Sequence, residues 1–281
     1  MHDIVAKRIL TPKIKLIEVT APAVAAKARA GQFVIVKADE RGERIPLTLE
    51  DWDRARGTIT LVFLEVGAST EKLGALEVGD RVSDICGPLG NPSEIKPYGL
   101  VCVAGGGVGT ASAFPIVRAM KEGGNRVVSI VAAKSADQLI LVDEIAKEAD
   151  EIFISTDDGS RGQKAFACDM LKILIERGYK FNVVYAIGPT IMMRTVADTT
   201  RPYNIKTVVS LNPIMVDGMG MCGACRVSVA GKTEFACVTG PEFDAHQVDF
   251  AELQKRQAAF LGEEKLALQR FRERACACQG A

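Results

Sequence analysis

A glycine-rich turn between an apolar run and an amphipathic segment limits the folds open to this chain more than any other feature. Residues 99–104 read Gly-Leu-Val-Cys-Val-Ala. Because glycine has no Cβ, its backbone N–H groups can approach a pyrophosphate, whose charge the N-terminus of a helix favours. The sequence predicts a strand, a phosphate-binding turn and a helix start, although the spacing differs from G-x-G-x-x-G and an ordinary tight turn is the alternative. The predicted nucleotide-binding residues are Gly105, Gly106, Gly107, Val108, Gly109 and Thr110.

The pattern of apolar runs changes at this turn and divides the chain into different folding regions. Before residue 97, β-branched runs such as 32–37 and 58–64 are separated by Gly and Pro turns, which favours an antiparallel barrel. After residue 97, strands alternate with helices, which is typical of a doubly wound parallel sheet. The strands predicted there are residues 99–104, 127–132, 151–155 and 182–187.

Beyond residue 205 the alternation stops and cysteines become concentrated. A stretch rich in Gly, Met and Cys, residues 217–225, precedes two short strand-like runs and a helical segment at 248–274. We therefore predict four units: a β-barrel domain at 1–96, an α/β nucleotide-binding domain at 97–205, a cluster module at 206–247, and a C-terminal helix and tail at 248–281.

Charge and hydropathy exclude several classes of partner. The 281 residues contain 35 basic and 35 acidic side chains, and no basic stripe indicates nucleic acid. The apolar runs are too short to span a membrane, and the N-terminus has no apolar leader. We therefore expect a cytoplasmic protein, in which the eight cysteines do not form a disulfide framework.

Two later turns follow predicted strands of the parallel sheet, and we expect both at the crevice where such sheets bind ligands. Each turn alone is also ordinary turn chemistry. A single cation, Lys134, follows the second strand, which favours NAD(H) over NADP(H), because a 2′-phosphate is usually bound by arginine. The residues predicted to contact the cofactor in the two turns are Thr156, Asp157, Asp158 and Gly159, and Gly188, Pro189 and Met192.

The cysteines after residue 220 have the spacing of a metal site. Cys222, Cys225 and Cys237 form C-x2-C-x11-C. A plant-type [2Fe–2S] site has a further cysteine five residues before the pair, and Asp217 stands there. A zinc site usually shows a second close pair, so we favour iron and sulfur. The fourth ligand is open between Asp217 and a tail cysteine, Cys276 or Cys278.

The order of these signals resembles the ferredoxin–NADP reductase superfamily. Residues 31–33, Gly-Gln-Phe, resemble the Gly-Gln-Phe/Tyr strand of its barrel. Residues 44–48 resemble its Arg-x-Pro-x-Ser/Thr flavin signature. The resemblance implies FAD, with Arg44 on the pyrophosphate and Thr48 near flavin N5. Without it, Arg44 would be an ordinary surface charge. The implied FAD-binding residues are Arg44, Pro46, Leu47, Thr48, Phe63, Leu64, Glu65, Val66, Gly67, Ser69 and Thr70.

The cluster loop narrows the resemblance to the small subunits of NADH-dependent reduced ferredoxin:NADP oxidoreductases, also called sulfide dehydrogenase beta subunits. This resemblance implies Asp217, Cys222, Cys225 and Cys237 as the [2Fe–2S] ligands. It also implies an oxidoreductase subunit with FAD and NAD(H), and a larger flavin and iron–sulfur partner that reacts with NADPH and ferredoxin by electron bifurcation. No side chain is expected as a general acid or base.

Two other functions stay open. One is the related electron-transfer subunit of dihydroorotate dehydrogenase, whose members carry cysteine where this chain has Asp217. The other is a zinc-stabilised adaptor without enzymatic activity. One departure from the superfamily concerns Gly188, which stands where many relatives have a cysteine, so no thiol contact with the nicotinamide ring is expected.

Overall fold

The computed structural model describes residues 1–279, with side chains described as far as Glu273. Its first part is a seven-stranded antiparallel barrel sheet with the strand order β6-β1-β2-β5-β4-β3-β7. The strands are β1 His2–Ile9, β2 Ile14–Thr20, β3 Phe33–Lys37, β4 Arg44–Asp53, β5 Thr58–Leu64, β6 Arg81–Val82 and β7 Asp84–Leu89, and the helices are α1 Pro22–Ala25 and α2 Ala68–Gly74.

The barrel core is built from aliphatic side chains of nearly every strand. Such β-branched residues fit a pleated surface that is buried on one side. The core includes Ile4, Ile17, Val34, Val36, Leu49, Ile59 and Leu61. The predicted antiparallel barrel is confirmed.

The second part is a parallel sheet with strand order β11-β10-β9-β8-β12-β13. The strands are β8 Leu100–Gly106, β9 Arg126–Ala133, β10 Glu151–Thr156, β11 Gln163–Lys164, β12 Val183–Ile187 and β13 Lys206–Ser210. The helices are α3 Gly109–Glu122, α4 Val142–Glu148, α5 Ala167–Glu176 and α6 Thr190–Thr200, with 3-10 turns at Ala136–Gln138 and Arg201–Tyr203.

Helices cover both faces of the parallel sheet, which explains its continuous apolar strands. Val101 and Val103 of β8 pack on the α3 side, with Ile116 and Val117. Cys102 and Ala104 face the opposite side, with residues of α5 and α6. The predicted doubly wound domain is therefore confirmed.

The C-terminal part adds a hairpin, one further sheet strand and two helices. Their bounds are β14 Arg226–Val229, β15 Lys232–Phe235, β16 Glu242–Asp244, a 3-10 turn at Ala245–Gln247, α7 Phe250–Gln257 and α8 Leu261–Gln279. The carboxylate of Asp249 caps α7 by accepting from the Glu252 N–H at 2.9 Å. The segment 248–274, predicted as one helix, thus contains α7 and the start of α8, with a break at residues 258–260. None of the helices within residues 1–279 has the length and apolarity needed to cross a bilayer.

The C-terminal module is joined to the nucleotide-binding sheet by strand pairing. β16 lies antiparallel to β13, with Val209 opposite Phe243. β13 itself pairs in parallel with β12 and continues the sheet. The predicted boundary at 205 thus falls just before a strand of the sheet, because no helix follows β13 and the alternating pattern ends there.

A buried acid lies where the barrel meets the second domain. Glu50 of β4 is only 5% exposed. Burial raises the pKa of Glu50 to about 8, the negative charge of Asp51 adds to this, and the positive charge of Arg118 opposes it. Glu50 is therefore protonated in the native protein at neutral pH.

Replacing this acid by its amide tests the assignment. Because the pKa of Glu50 is raised above 4.5, the unfolded chain loses the proton first, and wild-type stability falls as the pH rises from about 4.5 to about 8. We expect Glu50→Gln to gain stability relative to wild type between about pH 5 and pH 8.5, by a few kcal/mol at most. Thermal unfolding at both pH values measures the change, with exposed Glu176→Gln as the control. An equal effect at both pH values would contradict the prediction.

Candidate cofactor crevice and cluster loop

The glycine turn lies where the strand order of the parallel sheet reverses. From β8 the chain winds outward through β9 and β10, then returns to β12 on the other side of β8. Connections that diverge in this way leave a crevice at the carboxyl ends of the two central strands, the usual ligand site of such sheets. Residues 105–109 and 188–189 form its two sides.

The backbone of the glycine turn packs directly against the end of β12 and against the start of α3. A Cβ at Gly109 would lie 2.5 Å from the carbonyl oxygen of Ile187, and one at Gly105 would lie 2.7 Å from the Cα of Thr110. Gly107 has a φ of +55° instead, and its N–H donates to the Ala132 carbonyl at 2.9 Å. The glycines are therefore required for close packing at two positions and for a left-handed turn at a third.

At the start of α3 the N–H groups of Thr110 and Ala111 donate to the carbonyls of Gly107 and Val108, at 3.1 Å each, which leaves the N–H groups of Val108 and Gly109 for an external acceptor. The N-cap of α3, Val108, provides no side-chain hydrogen bond to the first turn. The opening N–H groups of a helix need an acceptor, and an anion bound in the crevice would supply it. The structure therefore fits the nucleotide phosphate predicted from the sequence.

Gly188 and Met192 complete the opposite wall. The Met192 Sδ would be 2.3 Å from a Cβ at Gly106 and 2.9 Å from one at Gly188. Pro189 precedes α6 as its N-cap residue. The structure thus brings this predicted turn against the glycine turn.

The other predicted turn lies at the same edge of the sheet, two strands away. Thr156 ends β10 and is fully buried, and its hydroxyl donates to the Arg161 carbonyl at 2.9 Å. The Asp158 carboxylate accepts from the Ser160 N–H and hydroxyl, at 2.9 and 2.6 Å. Desolvation raises the pKa of Asp157, while the Lys134 charge opposes the shift. Thr156 and Asp158 therefore shape the turn, and Asp157 and Gly159 are exposed.

The flavin signature begins β4. Arg44 Nη1 lies 3.3 Å from Asp84 Oδ2, while Arg44 Nε is buried with no hydrogen-bond partner in the described part of the chain. A buried donor without an acceptor costs about 1–3 kcal/mol. A phosphate oxygen bound beside Arg44 would supply the acceptor that Nε needs. Pro46 lies opposite Ile35, and half-buried Thr48 lies opposite Phe33. The residues present therefore fit the predicted FAD.

The second predicted FAD segment follows β5. Because β5 runs antiparallel to β4, its end lies beside the start of β4. The Thr70 hydroxyl accepts from the N–H groups of Val66 and Gly67, at 3.0 and 3.1 Å, and thereby forms the turn before α2. Ser69 donates to Glu43 at 2.5 Å.

Three predicted residues before this turn differ in their surroundings. Phe63 is 2% exposed and its side chain belongs to the barrel core. Leu64 packs at the contact between the barrel and the second domain. Glu65 pairs with Lys15 at 3.6 Å.

The β14–β15 hairpin brings two of the predicted cluster ligands together. Cys225 precedes β14 and Cys237 follows β15, and their Sγ atoms are 3.2 Å apart. The two thiols are 1% and 3% exposed. Burial and the neighbouring thiol raise the pKa of Cys237 to about 12. Binding of a metal ion would remove these protons, since thiolate is the ligand form.

The other two predicted ligands form a second pair. The Asp217 carboxylate accepts from the N–H groups of Met219, Met221 and Cys222, at 2.8, 3.0 and 2.6 Å. These bonds hold the pKa of Asp217 below its usual value. Cys222 is exposed. Among the side chains described up to Glu273, no three His, Cys, Asp or Glu enclose a metal ion.

The cluster loop packs directly on the barrel. A Cβ at Gly218 would lie 2.7 Å from both Ile35 Cγ1 and Leu89 Cδ1. The Asn91 side-chain amide donates to the carbonyls of Val238 and Thr239, at 3.2 and 3.0 Å. Sequence reasoning missed Asn91, since an Asn-Pro pair gives only a turn signal. The proposed cluster and the proposed flavin thus share neighbouring strands, β3 and β4.

The rival ligands Cys276 and Cys278 lie outside the described side chains. The two histidines, not expected to act in catalysis, are hydrogen-bonded within the fold. His2 Nδ1 lies 2.8 Å from the Thr20 carbonyl, and His246 Nε2 lies 2.9 Å from the Thr200 hydroxyl.

Comparison with known proteins places the chain in a family. The iron–sulfur cluster binding domain of dihydroorotate dehydrogenase B matches residues 212–249. A homolog of the dihydroorotate dehydrogenase B (NAD(+)) electron transfer subunit from Thermotoga maritima is 45% identical over 272 residues, 96% of this chain and 95% of that protein. The electron transfer subunit from Clostridium perfringens is 30% identical, over 80% of this chain and 89% of that protein. This chain belongs to the dihydroorotate dehydrogenase B electron transfer subunit family.

A solved structure of NADH-dependent reduced ferredoxin-NADP oxidoreductase, studied for flavin-based electron bifurcation, has a TM-score of 0.92 and 44% identity, and the match covers 96% of this chain and 98% of that one. Phthalate dioxygenase reductase shares the fold, with a TM-score of 0.56 and 18% identity over 81% of this chain and 85% of that one. Membership of this family confirms the predicted oxidoreductase subunit with FAD, NAD(H) and an iron–sulfur cluster.

Two glycine substitutions test the crevice geometry. Gly109→Ala places a methyl group against the Ile187 backbone, which cannot move without disturbing β12. In Gly106→Ala the methyl group meets the flexible Met192 side chain. We expect Gly109→Ala to lower the free energy of unfolding by about 2 kcal/mol or more, and Gly106→Ala by less. Urea unfolding measures both, and the reverse order would contradict the described packing.

Proposed function

We propose that this chain is the FAD- and [2Fe–2S]-containing electron-transfer subunit of a larger oxidoreductase and that it exchanges hydride with NAD(H). In this proposal a larger flavin and iron–sulfur subunit links it to NADPH and ferredoxin by flavin-based electron bifurcation. The observation that carries the proposal is the packing of the cluster loop on β3, the strand that pairs with the flavin strand β4. The whole-chain similarity to a bifurcating oxidoreductase supports it.

The cofactors, when bound, supply the redox chemistry: nicotinamide and flavin exchange hydride, and the cluster carries one electron at a time. The chain itself binds and orients them. Arg44 supplies a buried donor for the FAD pyrophosphate, and the half-buried Thr48 hydroxyl is a hydrogen-bond partner for flavin N5. The N-terminus of α3, at Val108 and Gly109, would receive the NAD(H) phosphates.

Preference for NAD(H) is supported by the charges near the end of β9. Lys134 is exposed and its charge acts on Asp157, whose carboxylate would repel a 2′-phosphate. An acidic residue is the usual partner of free ribose hydroxyls. The cluster thiols must be reduced before a cluster assembles, which supports the expected cytoplasmic location.

The ligand set of the cluster is proposed as Asp217, Cys222, Cys225 and Cys237. The hairpin supports one pair and the Asp217–Cys222 contact supports the other. A carboxylate carries the same charge as a thiolate but is a harder ligand, and the type of ligand influences the reduction potential. The proximity of Asp217 to Cys237, whose pKa it helps to raise, also supports this set.

A second candidate is the electron transfer subunit of dihydroorotate dehydrogenase, which passes electrons to NAD. The names of the curated relatives and the matched iron–sulfur domain favour it. Asp217 favours the first candidate, because the resemblance to the dihydroorotate enzymes implies cysteine at this position.

The function is tested in the reconstituted complex. With the larger subunit present, we expect NADPH oxidation to reduce ferredoxin and NAD together, and omission of this chain to abolish NADH formation. Absorbance of reduced ferredoxin and enzymatic assay of NADH measure the two products. Full turnover by the larger subunit alone would sink the proposal, and reduction of NAD by dihydroorotate with a dihydroorotate-oxidising subunit would favour the second candidate.

The ligand assignment is tested by spectroscopy. Asp217→Cys replaces an oxygen ligand with sulfur, so we expect a changed EPR spectrum of the reduced cluster and a shifted midpoint potential, with iron content retained. Cys276→Ser combined with Cys278→Ser is the control for the rival ligands, and its spectrum is expected to match wild type. An unchanged spectrum for Asp217→Cys, or loss of iron in the control, would contradict the assignment.

A further inference from the structure

A cation held between two aromatic rings joins the barrel to the nucleotide-binding domain. The guanidinium carbon of Arg118 lies 5.5 Å from the ring centroid of Trp52 and 5.4 Å from that of Phe114. Arg118 Nη2 also lies 2.7 Å from Asp51 Oδ1. We call Asp51, Trp52, Phe114 and Arg118 the Arg118 clamp. The two rings and the ion pair together hold the guanidinium in place.

The clamp connects the two elements that carry the proposed cofactor sites. β4 begins with the flavin signature at Arg44 and carries Asp51 and Trp52 just before its last residue, Asp53. α3 begins at Gly109, immediately after the glycine turn, and contributes Phe114 and Arg118. Side chains of β4 and of α3 therefore join the strand proposed to bind flavin to the helix proposed to bind the NAD(H) pyrophosphate.

Trp52 belongs to the packing on both sides of this junction. It packs against the barrel core around Leu49 and against the core of the parallel sheet around Val117. A second apolar contact between the domains places Leu64 of the barrel beside Ala111 and Leu141 of the second domain. Next to it, Arg8 of β1 pairs with Glu144 of α4 at 3.3 Å, and Arg8 is 60% exposed. Apolar contact is non-directional, whereas the ion pair of the clamp is an oriented contact between β4 and α3.

Small changes in this angle would have large effects at the crevice. Arg118 is nine residues beyond Gly109, which places the glycine turn about 13 Å along the helix from the clamp. A rotation of α3 at Arg118 therefore moves the turn that receives the NAD(H) phosphates. Hydride transfer requires reacting atoms about 3–3.5 Å apart, and a displacement of about 1 Å can cost about 100-fold in rate.

We propose that Arg118, held by Asp51 and Trp52, is a positioning residue that fixes α3 on β4 and so aligns the nicotinamide with the flavin for hydride transfer. The inference rests on the proposed function, because it assumes that FAD binds at β4 and NAD(H) at the glycine turn. In this proposal Arg118 contacts neither cofactor and acts only through the angle between β4 and α3.

The test compares Arg118→Ala, Arg118→Lys and Arg126→Ala in the full-length holoprotein. Arg126 is the matched control, since it forms an exposed ion pair with Glu151 within the nucleotide-binding domain. Stopped-flow mixing with NADH gives the saturating rate of flavin reduction and the apparent Kd for NADH. FAD content, iron content and the melting temperature are measured on the same samples.

Trp52 provides a readout that does not depend on activity. It is the only tryptophan of the chain, so the intrinsic emission of the FAD-free protein, excited at the indole band, reports this junction alone. Loss of the guanidinium from both rings is expected to change the emission intensity and to increase quenching by acrylamide.

For Arg118→Ala we expect a saturating rate of flavin reduction about 10- to 100-fold lower, with FAD content and apparent Kd for NADH within about twofold of wild type. Arg118→Lys keeps the charge over the rings and should recover part of the rate. Arg126→Ala should match wild type in rate and Trp52 emission.

The inference alone would be overturned by an unchanged rate in Arg118→Ala, or by a fall in rate that only follows loss of FAD or of folded protein. Equal effects of Arg126→Ala would also overturn it. Failure of the proposed function has a different signature, because wild-type protein would then hold no FAD or show no flavin reduction by NADH.

Discussion

The pairing of β4 with β3 on one side and β5 on the other organises the functional half of the molecule. Thr48 lies opposite Phe33 in the β3–β4 pair, and Leu49 lies opposite Leu61 in the β4–β5 pair. β3 supports the cluster loop, the end of β5 leads to the second FAD segment, and the far end of β4 contacts α3. Because side chains alternate along a strand, a shift of one residue in this register would turn Thr48 and its neighbours to the opposite face. The three proposed cofactor sites therefore depend on one strand alignment.

The cluster module depends on backbone geometry as much as on its ligands. The hairpin fixes Cys225 beside Cys237, while Asp217 organises the preceding loop through three N–H groups. Gly218 has a left-handed φ of +74° and packs without a Cβ against barrel side chains. The loop thus reaches the barrel at a distance that only glycine permits, which places the proposed cluster close to the proposed flavin strand.

Local sequence patterns were sufficient to predict the fold and the motifs from which the cofactors were inferred. The glycine turn, the alternation of strands and helices and the spacing of Cys222, Cys225 and Cys237 each depend on residues that are near one another in the chain. The cofactor turns at 105–110 and 188–189 were expected in one crevice, because parallel strands end at the same edge of a sheet.

Interactions between distant segments could not be predicted in the same way. The Arg118–Trp52 contact, the Asn91 bonds to residues 238–239 and the pairing of β16 with β13 join segments that have no shared sequence pattern. Phe63 shows a related limit, since a motif position gives no information about which face of the strand is buried. Its side chain lies in the barrel core, 2% exposed.

The addition of β16 to β13 has a consequence for how the chain folds. The barrel is complete within residues 1–89, so it can form early during synthesis. The parallel sheet is finished only by residues 242–244, which follow the cluster loop in the chain. Until then β13 has an unpaired edge, which is a template for association with other chains. The strand that covers this edge therefore emerges only a few residues after Cys237, the last of the proposed cluster ligands.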